Sequence, residues 1–358
     1  MKAMSANPAR IRAAWQGRIS GCILGKPVEV LSFQQGLGGL TFYLEHTGAL
    51  PLRDYVPLRK GSSVERLGKA CCRGHISRAE PDDDINYSIL ALTLLEEHGT
   101  SFDVTDVARA WLQRLPAGAT WTAERAAYAT LLANMDDEFV NGDEPGFDIT
   151  LCSENKYNDW IGAQIRADLY GWVCPGRPDL AAELAARDAS LSHRGDGVYG
   201  AMFIAALGAA IPACPSLDAA VDIALGQIPE DSGAAAAVAF GRGIAGRDNA
   251  VERLHQEYAG LPPVHTLNNL ALVVWALLSA DDFSAAVGEA VAAGWDTDCN
   301  GATVGGLFGL TGQPIPHHWT APWNERVGVS LAGQSELSLG DLVARTVAVA
   351  DGIGARHA

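Results

Sequence analysis

Asp296 and Asp298 stand two residues apart inside Gly-Trp-Asp-Thr-Asp-Cys-Asn-Gly, residues 294–301. In a turn, carboxylates at i and i+2 can both point toward one ion, and hard oxygen donors in a compact group suit Mg²⁺, Mn²⁺ or Ca²⁺. A second acidic group, Asp82-Asp83-Asp84, opens another helical pattern more than half the chain earlier. Each group also has a plainer reading, as a helix N-cap whose extra charge complements the helix dipole. Capping needs only one carboxylate, however, and three adjacent ones repel one another unless a cation is present. Should the two groups converge in the fold, unpaired buried carboxylates would be costly. Two halves of one divalent-metal site account for both.

Two neighbouring features bear on this. After the second acidic pair come Gly301, Gly305 and Gly309, with Ala302 and Gly306 between them. Glycine every fourth residue lines one helix face and lets another backbone approach closely. Gly25-Lys26-Pro27-Val28-Glu29 follows the first helical pattern. Alone, Glu29 reads as a solvated loop residue. If the first helix packs beside the acidic helix mouths, Glu29 becomes a candidate acid or base.

The elements that must position these groups are nearly all helical. Alanine-rich amphipathic segments recur at 7–24, 84–98, 104–114, 121–134, 178–190, 199–213, 217–226, 233–244, 266–280, 282–293, 300–310 and 338–351. Turn signals such as Pro175-Gly176 and Cys214-Pro215 separate them. No alternating run makes a convincing strand, and no repeat period is visible. The reading is an all-α chain forming one compact multi-helix domain over 1–358. Residues 31–81 are rich in turn formers and predict a long loop or lid. Residues 135–157 form a second candidate loop.

Bulk properties exclude several classes. A hydrophobic content of 48% with 19% charged residues describes a folded globular chain. The net charge of −16 argues against nucleic acid or an anionic membrane as partner, and bound cations would offset part of it. Seven cysteines at irregular spacing, without a C-x-x-C pair, argue against a disulfide scaffold and against structural zinc. A reducing cytoplasm is the expected compartment. The N-terminus lacks a signal-peptide core, and the apolar stretches near 199–214 and 267–280 are expected to fall short of a membrane span. Nothing in the pattern specifies an oligomeric state.

Taken in order along the chain, these motifs resemble the ADP-ribosylglycohydrolase family. Its Gly-rich turn ending in Pro-x-Glu is matched by Gly25-Lys26-Pro27-Val28-Glu29. Its Thr/Ser-Asp-Asp is matched by Asp82-Asp83-Asp84, with Asp82 in the hydroxyl position. Its Gly-x-Asp-Thr-Asp-Thr/Ser is matched at 294–299, with Cys299 in the last place. Gly162-Ala163-Gln164-Ile165-Arg166 is similar to its Asn-Gly-Ala-x-Met-Arg, with Ile161 where Asn is usual, and Ser192-His193 is similar to its Thr/Ser-His. The resemblance implies an all-α fold and a binuclear centre of two Mg²⁺ (or Mn²⁺) held by Asp82, Asp83, Asp84, Asp296 and Asp298. It implies catalytic roles for Glu29, Asp83 and Asp298, and substrate contacts from Gly162, Ala163, Gln164, His193 and Asn300. The implied reaction is hydrolysis at the anomeric carbon of a riboside, in an ADP-ribosylated protein or an ADP-ribosyl small molecule. A small N-riboside or nucleoside-like metabolite is the alternative substrate, because Ile161 removes a polar contact expected near diphosphate or ribose. Cys299 brings a soft donor to a hard-ion site.

Two other classes rest on residues of their own. Asp82-Asp83-x-x-Asn86 resembles the aspartate-rich motif of class I terpene synthases, and Asp281-Asp282 with Glu289 approximates the second one. That reading leaves 294–301 unexplained. A non-catalytic helical protein would be signalled by lost acidic ligands, and none is lost. Cys71-Cys72 with His75 reads as isolated loop thiols, and His317-His318 as a loop packed on the last helices. Gly36-Leu37-Gly38-Gly39 lacks the strand and helix context of a phosphate loop.

Overall fold

The computed structural model of the chain describes residues 4–136 and 138–356. Sixteen α-helices among these residues pack around one contiguous apolar core. Each predicted helical segment corresponds to an observed helix, and all but the first are displaced by only a few residues at the ends. Local caps set several starts. Asn7 accepts from the backbone N–H groups of Ala9 and Arg10 ahead of Pro8, and Asp103 and Asp106 form a reciprocal capping box.

The 31–81 expectation needs correction. The first helix does not stop near residue 24 but continues through Pro27 to His46. Proline removes one intrahelical hydrogen bond without ending this helix, which is held along its length by packing. The break comes at Gly36, where φ +64° and ψ −168° interrupt the helix before a second stretch resumes. A further short helix spans Ser63–Gly68, so the irregular segment is mainly 47–62 and 72–82. Asp168–Val173 and Ala250–Glu257 are also helical, outside the segments the periodicity predicts. A small antiparallel ribbon, where the pattern predicts no strand, pairs Arg326 with Ser338 and Gly328 with Glu336. Three-residue strands carry too little alternation to register as a pattern.

The 196–213 segment does have the length and composition of a membrane span, contrary to the expectation, but it lies mostly buried inside the fold. Phe203, Ile204, Ala205, Ala206 and Leu207 on it have no solvent exposure.

One helix pair positions everything that follows. Pro8–His46 and Thr297–Gly309 run antiparallel with glycine against glycine. Gly17 faces Gly305, Gly21 faces Gly301, Gly25 faces Thr297 and Gly309 faces Ala13. A Cβ on Gly21 would lie 1.9 Å from the Gly301 carbonyl oxygen, and one on Gly17 would lie 2.0 Å from that of Gly305. The backbones are in direct contact, and Thr297 Oγ1 donates to the Gly25 carbonyl at 2.8 Å. Sequence reading identified the 301-305-309 face but missed its complement, Gly17-x3-Gly21-x3-Gly25, which carries the same four-residue signal.

Overpacking this contact should destabilise the whole domain. Gly21→Ala is expected to cost about 1–3 kcal/mol in urea unfolding. Gly38→Ala is the control, because nothing lies within 4 Å of its Cβ position. Equal effects from the two substitutions would show that the close backbone approach does not bear on stability.

Candidate metal centre

The register that sets Gly25 against Thr297 carries Glu29 one turn further, to Asp296 and Asp298. Ligand oxygens of Glu29, Asp296 and Asp298 lie within 4.8 Å of one another. The same spacing joins Asp84, Asp298 and the Cys299 thiol, and again Cys22, Asp82 and Asp84. The three groups share Asp298 and Asp84, so the acids form a continuous row from Glu29 to Asp82. The convergence on which the role of Glu29 was conditional is therefore met. Asp83, expected as a ligand and a catalytic group, is half-buried and falls outside all three groups.

The capping reading separates the two acidic clusters. Asp82 is a working N-cap, since its Oδ1 accepts the Asp84 backbone N–H at 3.0 Å. Asp296 occupies the N-cap position of Thr297–Gly309 but accepts no cap hydrogen bond. Its carboxylate points elsewhere. Trp295, just before it, sits at φ +57°, a costly conformation for a non-glycine residue, with its ring stacked 4.3 Å from that of His255.

Asp84 Oδ2, Asp296 Oδ1 and Asp298 Oδ1 are all buried and all without a hydrogen-bond partner. A buried carboxylate oxygen facing neither donor nor cation is strongly unfavourable. Three such atoms in one row fit a site for hard divalent cations. Without a cation, burial first and the Asp298 charge second raise the pKa values of Glu29 and Asp296 well above the carboxylate range. Burial, then the charge of Asp82, pushes Asp298 up to about 6. Glu29 is only half-buried by surface exposure, yet enough protein surrounds its carboxyl for desolvation to dominate. Asp82 differs. Burial opposes its ionisation, but the Lys26 ammonium beside it holds its pKa below the ordinary value.

Fixed cations back the row from beneath. Fully buried Arg18 donates to Asp168 Oδ2 at 2.7 Å, to the Asp84 carbonyl at 2.7 Å and to Asp84 Oδ1 at 3.3 Å. It also reaches the Ile165 carbonyl, tying the 161–166 segment to the acidic row. Neither Arg18 nor Lys26 was anticipated from the sequence. The available signal was a charged residue between Gly17 and Ile19 on a helix that otherwise reads as buried.

The segment Ile161–Arg166 rests on a second buried network. Arg166 pairs with Glu124 and Asp188, each at 2.6 Å, and donates to Ser192 Oγ at 2.9 Å. His193 accepts the Ala163 backbone N–H at Nε2, and its Nδ1 meets Ser192 Oγ at 2.8 Å. Burial and the Arg166 charge lower its pKa, so it is a neutral imidazole. With both nitrogens engaged by protein groups, His193 supports the segment rather than presenting itself to a substrate. Gly162 packs against the Glu124 carboxylate, which a Cβ would overlap at 2.1 Å. Gln164 is buried with both amide atoms unpartnered, and Asn300 donates to Asn269 while its Oδ1 has no partner. Both amides retain hydrogen-bonding capacity.

Ile161 and Cys299, two of the departures in the motifs, fall in one cluster. With Ile165 they form a small apolar cluster apart from the main core. Burial and then the Asp296 charge raise the Cys299 pKa, leaving a neutral thiol beside the row. The terpene-synthase motifs are dispersed. Asn86 exchanges two hydrogen bonds with Ser330, Asp282 caps a helix, and Glu289 pairs with Arg53. Cys71, Cys72 and His75 belong to none of the candidate metal groups found among the described residues.

The family model for ADP-ribosylglycohydrolase matches residues 4–349. A solved structure described as an ADP-ribosylglycohydrolase-related protein complex superposes with a TM-score of 0.61 at 20% identity, covering 97% of this chain and 98% of that one. That likeness shows the fold. No curated protein matches the chain in sequence.

The raised Asp298 pKa has a testable sign. A carboxyl whose folded pKa exceeds its unfolded value stabilises the fold below the unfolded pKa, near 4, and loses that contribution as pH rises through about 6. In chelator, Asp298→Asn should therefore stabilise the protein at pH 7.5 by on the order of 2–3 kcal/mol, and by about half as much at pH 5. Thermal melts at the two pH values decide it, and an equal shift at both would refute the assignment.

Proposed function

This chain belongs to the ADP-ribosylglycohydrolase family, and from that premise we propose that it is a divalent-metal-dependent hydrolase of an anomeric ribosyl bond. The substrate class is an ADP-ribosylated protein or an ADP-ribosyl small molecule. The carrying observation is the set of three buried, unpartnered carboxylate oxygens on Asp84, Asp296 and Asp298, with Glu29 beside two of them. Asp84, Asp296 and Asp298 would hold the two Mg²⁺ or Mn²⁺ ions, with Glu29 beside them. Bound there, the ions would supply positive charge that orients ribose hydroxyls and a water and steadies charge developing on oxygen.

The chain's own residues have separable parts in this scheme. Glu29 carries the acid–base role. Its carboxyl lies beside Asp296 and Asp298, where burial and then the Asp298 charge raise its pKa in the metal-free row, and this places it to exchange a proton with the leaving group or the water. Bond cleavage at the anomeric carbon passes through an oxocarbenium-like state, which nearby carboxylates stabilise electrostatically. Gln164 and Asn300, with unpartnered amide atoms, are suited to sugar hydroxyls. Arg18 and Arg166 hold the elements that carry these groups in register.

A second reading has its own support. The Ile161–Ile165–Cys299 cluster puts apolar surface beside Asp298, where a diphosphate would favour polar contacts. A compact N-riboside or nucleoside-like metabolite suits that wall better.

Turnover assays in Mg²⁺ and Mn²⁺ against ADP-ribosyl-arginine, ADP-ribosyl-serine, NAD and simple nucleosides separate the two readings by product, free ADP-ribose or free ribose. Asp296→Ala should lower kcat by at least about 10²-fold while the fold is retained. Full activity of Asp296→Ala in excess Mg²⁺ would refute the metal assignment.

A further inference from the structure

The row of acids has three places where a cation could sit, and one of them is already taken. Lys26 stands three residues before Glu29 on the same helix, so the two side chains rise from one face. Its ammonium donates to the Pro81 carbonyl at 2.9 Å and to Asp82 Oδ2. The other carboxylate oxygen of Asp82 is spent on the Asp84 backbone N–H. Both oxygens of Asp82 are thus engaged, whereas Asp84, Asp296 and Asp298 each keep one buried oxygen without a partner. The free ligand atoms thus belong to residues of the two groups that share Asp298.

We propose that the Lys26 ammonium is a built-in cation that closes the Cys22–Asp82–Asp84 end of the row to divalent ions, confining them to the two places that share Asp298. The inference rests on the reading of the row as a divalent-metal centre. An ammonium is a compact point charge on a flexible stem, able to take a position among carboxylates that a metal would otherwise occupy. Held covalently, it neutralises Asp82 at any metal concentration. Asp82 is then a helix cap and an anchor for Lys26 rather than a metal ligand, and its negative charge adds no coordination site.

The test counts bound Mn²⁺ on the full chain by equilibrium dialysis with electron paramagnetic resonance at pH 7.5. Lys26→Met is expected to bind one more Mn²⁺ than wild type, and Lys26→Met with Asp82→Asn to return to the wild-type number. Asp82→Asn alone, nearly isosteric, should keep the wild-type number, and it decides the matter if Lys26→Met does not fold. A wild-type count in Lys26→Met, or one ion lost in Asp82→Asn, overturns the role of Lys26 and leaves the metal centre standing. No Mn²⁺ bound to wild type overturns the metal centre and this inference together.

Discussion

Backbone contact between the Pro8–His46 and Thr297–Gly309 helices sets the distances at the acidic row. Four successive turns of each helix meet with glycine or a small residue at the contact, and a single Cβ there would overlap a carbonyl of the other helix. Because the helices touch at the main chain, their relative translation is fixed more tightly than side-chain packing alone would fix it. The last step of that register places Gly25 on Thr297, and the next turn delivers Glu29 to Asp296 and Asp298. A slip of one turn would separate Glu29 from both.

Such tight placement lets the protein gather acids that would otherwise push one another apart. Glu29, Asp82, Asp84, Asp296 and Asp298 come from three separate stretches of chain and share one row. The protein answers part of this charge internally. Arg18 lies under Asp84 and Asp168, and Lys26 covers Asp82. Of four buried carboxylate oxygens left without a partner, three belong to Asp84, Asp296 and Asp298, and the fourth is on Asp168, an acid already paired with Arg18. Buried charge without a partner is a poor way to stabilise a fold. Its persistence at one point is what relates the structure to chemistry. The Arg166 network shows the contrasting case, in which buried acids are each hydrogen-bonded and serve only to hold the 161–166 segment.

Much of this was legible from local pattern. Helix positions followed from apolar periodicity, since amphipathic faces must be buried whatever they are buried against. The two acidic clusters were legible because capping does not require so many carboxylates. The first helix was misjudged beyond residue 24, because Pro27 and the glycines at 36, 38 and 39 read as stops, although only Gly36 breaks the helix. The buried pairing of Arg18, Lys26 and Arg166 is not legible in the sequence, because a buried cation reads as an ordinary surface charge until its partners, up to 150 residues away, are in place.

Residue types and spacing by themselves determined the all-α class, the helix mouths that carry the acids, and the glycine face that invites a close neighbour. These properties are local, written within a few turns of chain. The tertiary structure alone decided which carboxylates keep a free oxygen and which are spent. Asp82 and Asp296 both stand at helix starts, yet one caps its helix and pairs with Lys26 while the other does neither. That difference arises from packing between segments far apart in sequence, where desolvation and the nearest fixed charge determine what each acid can bind.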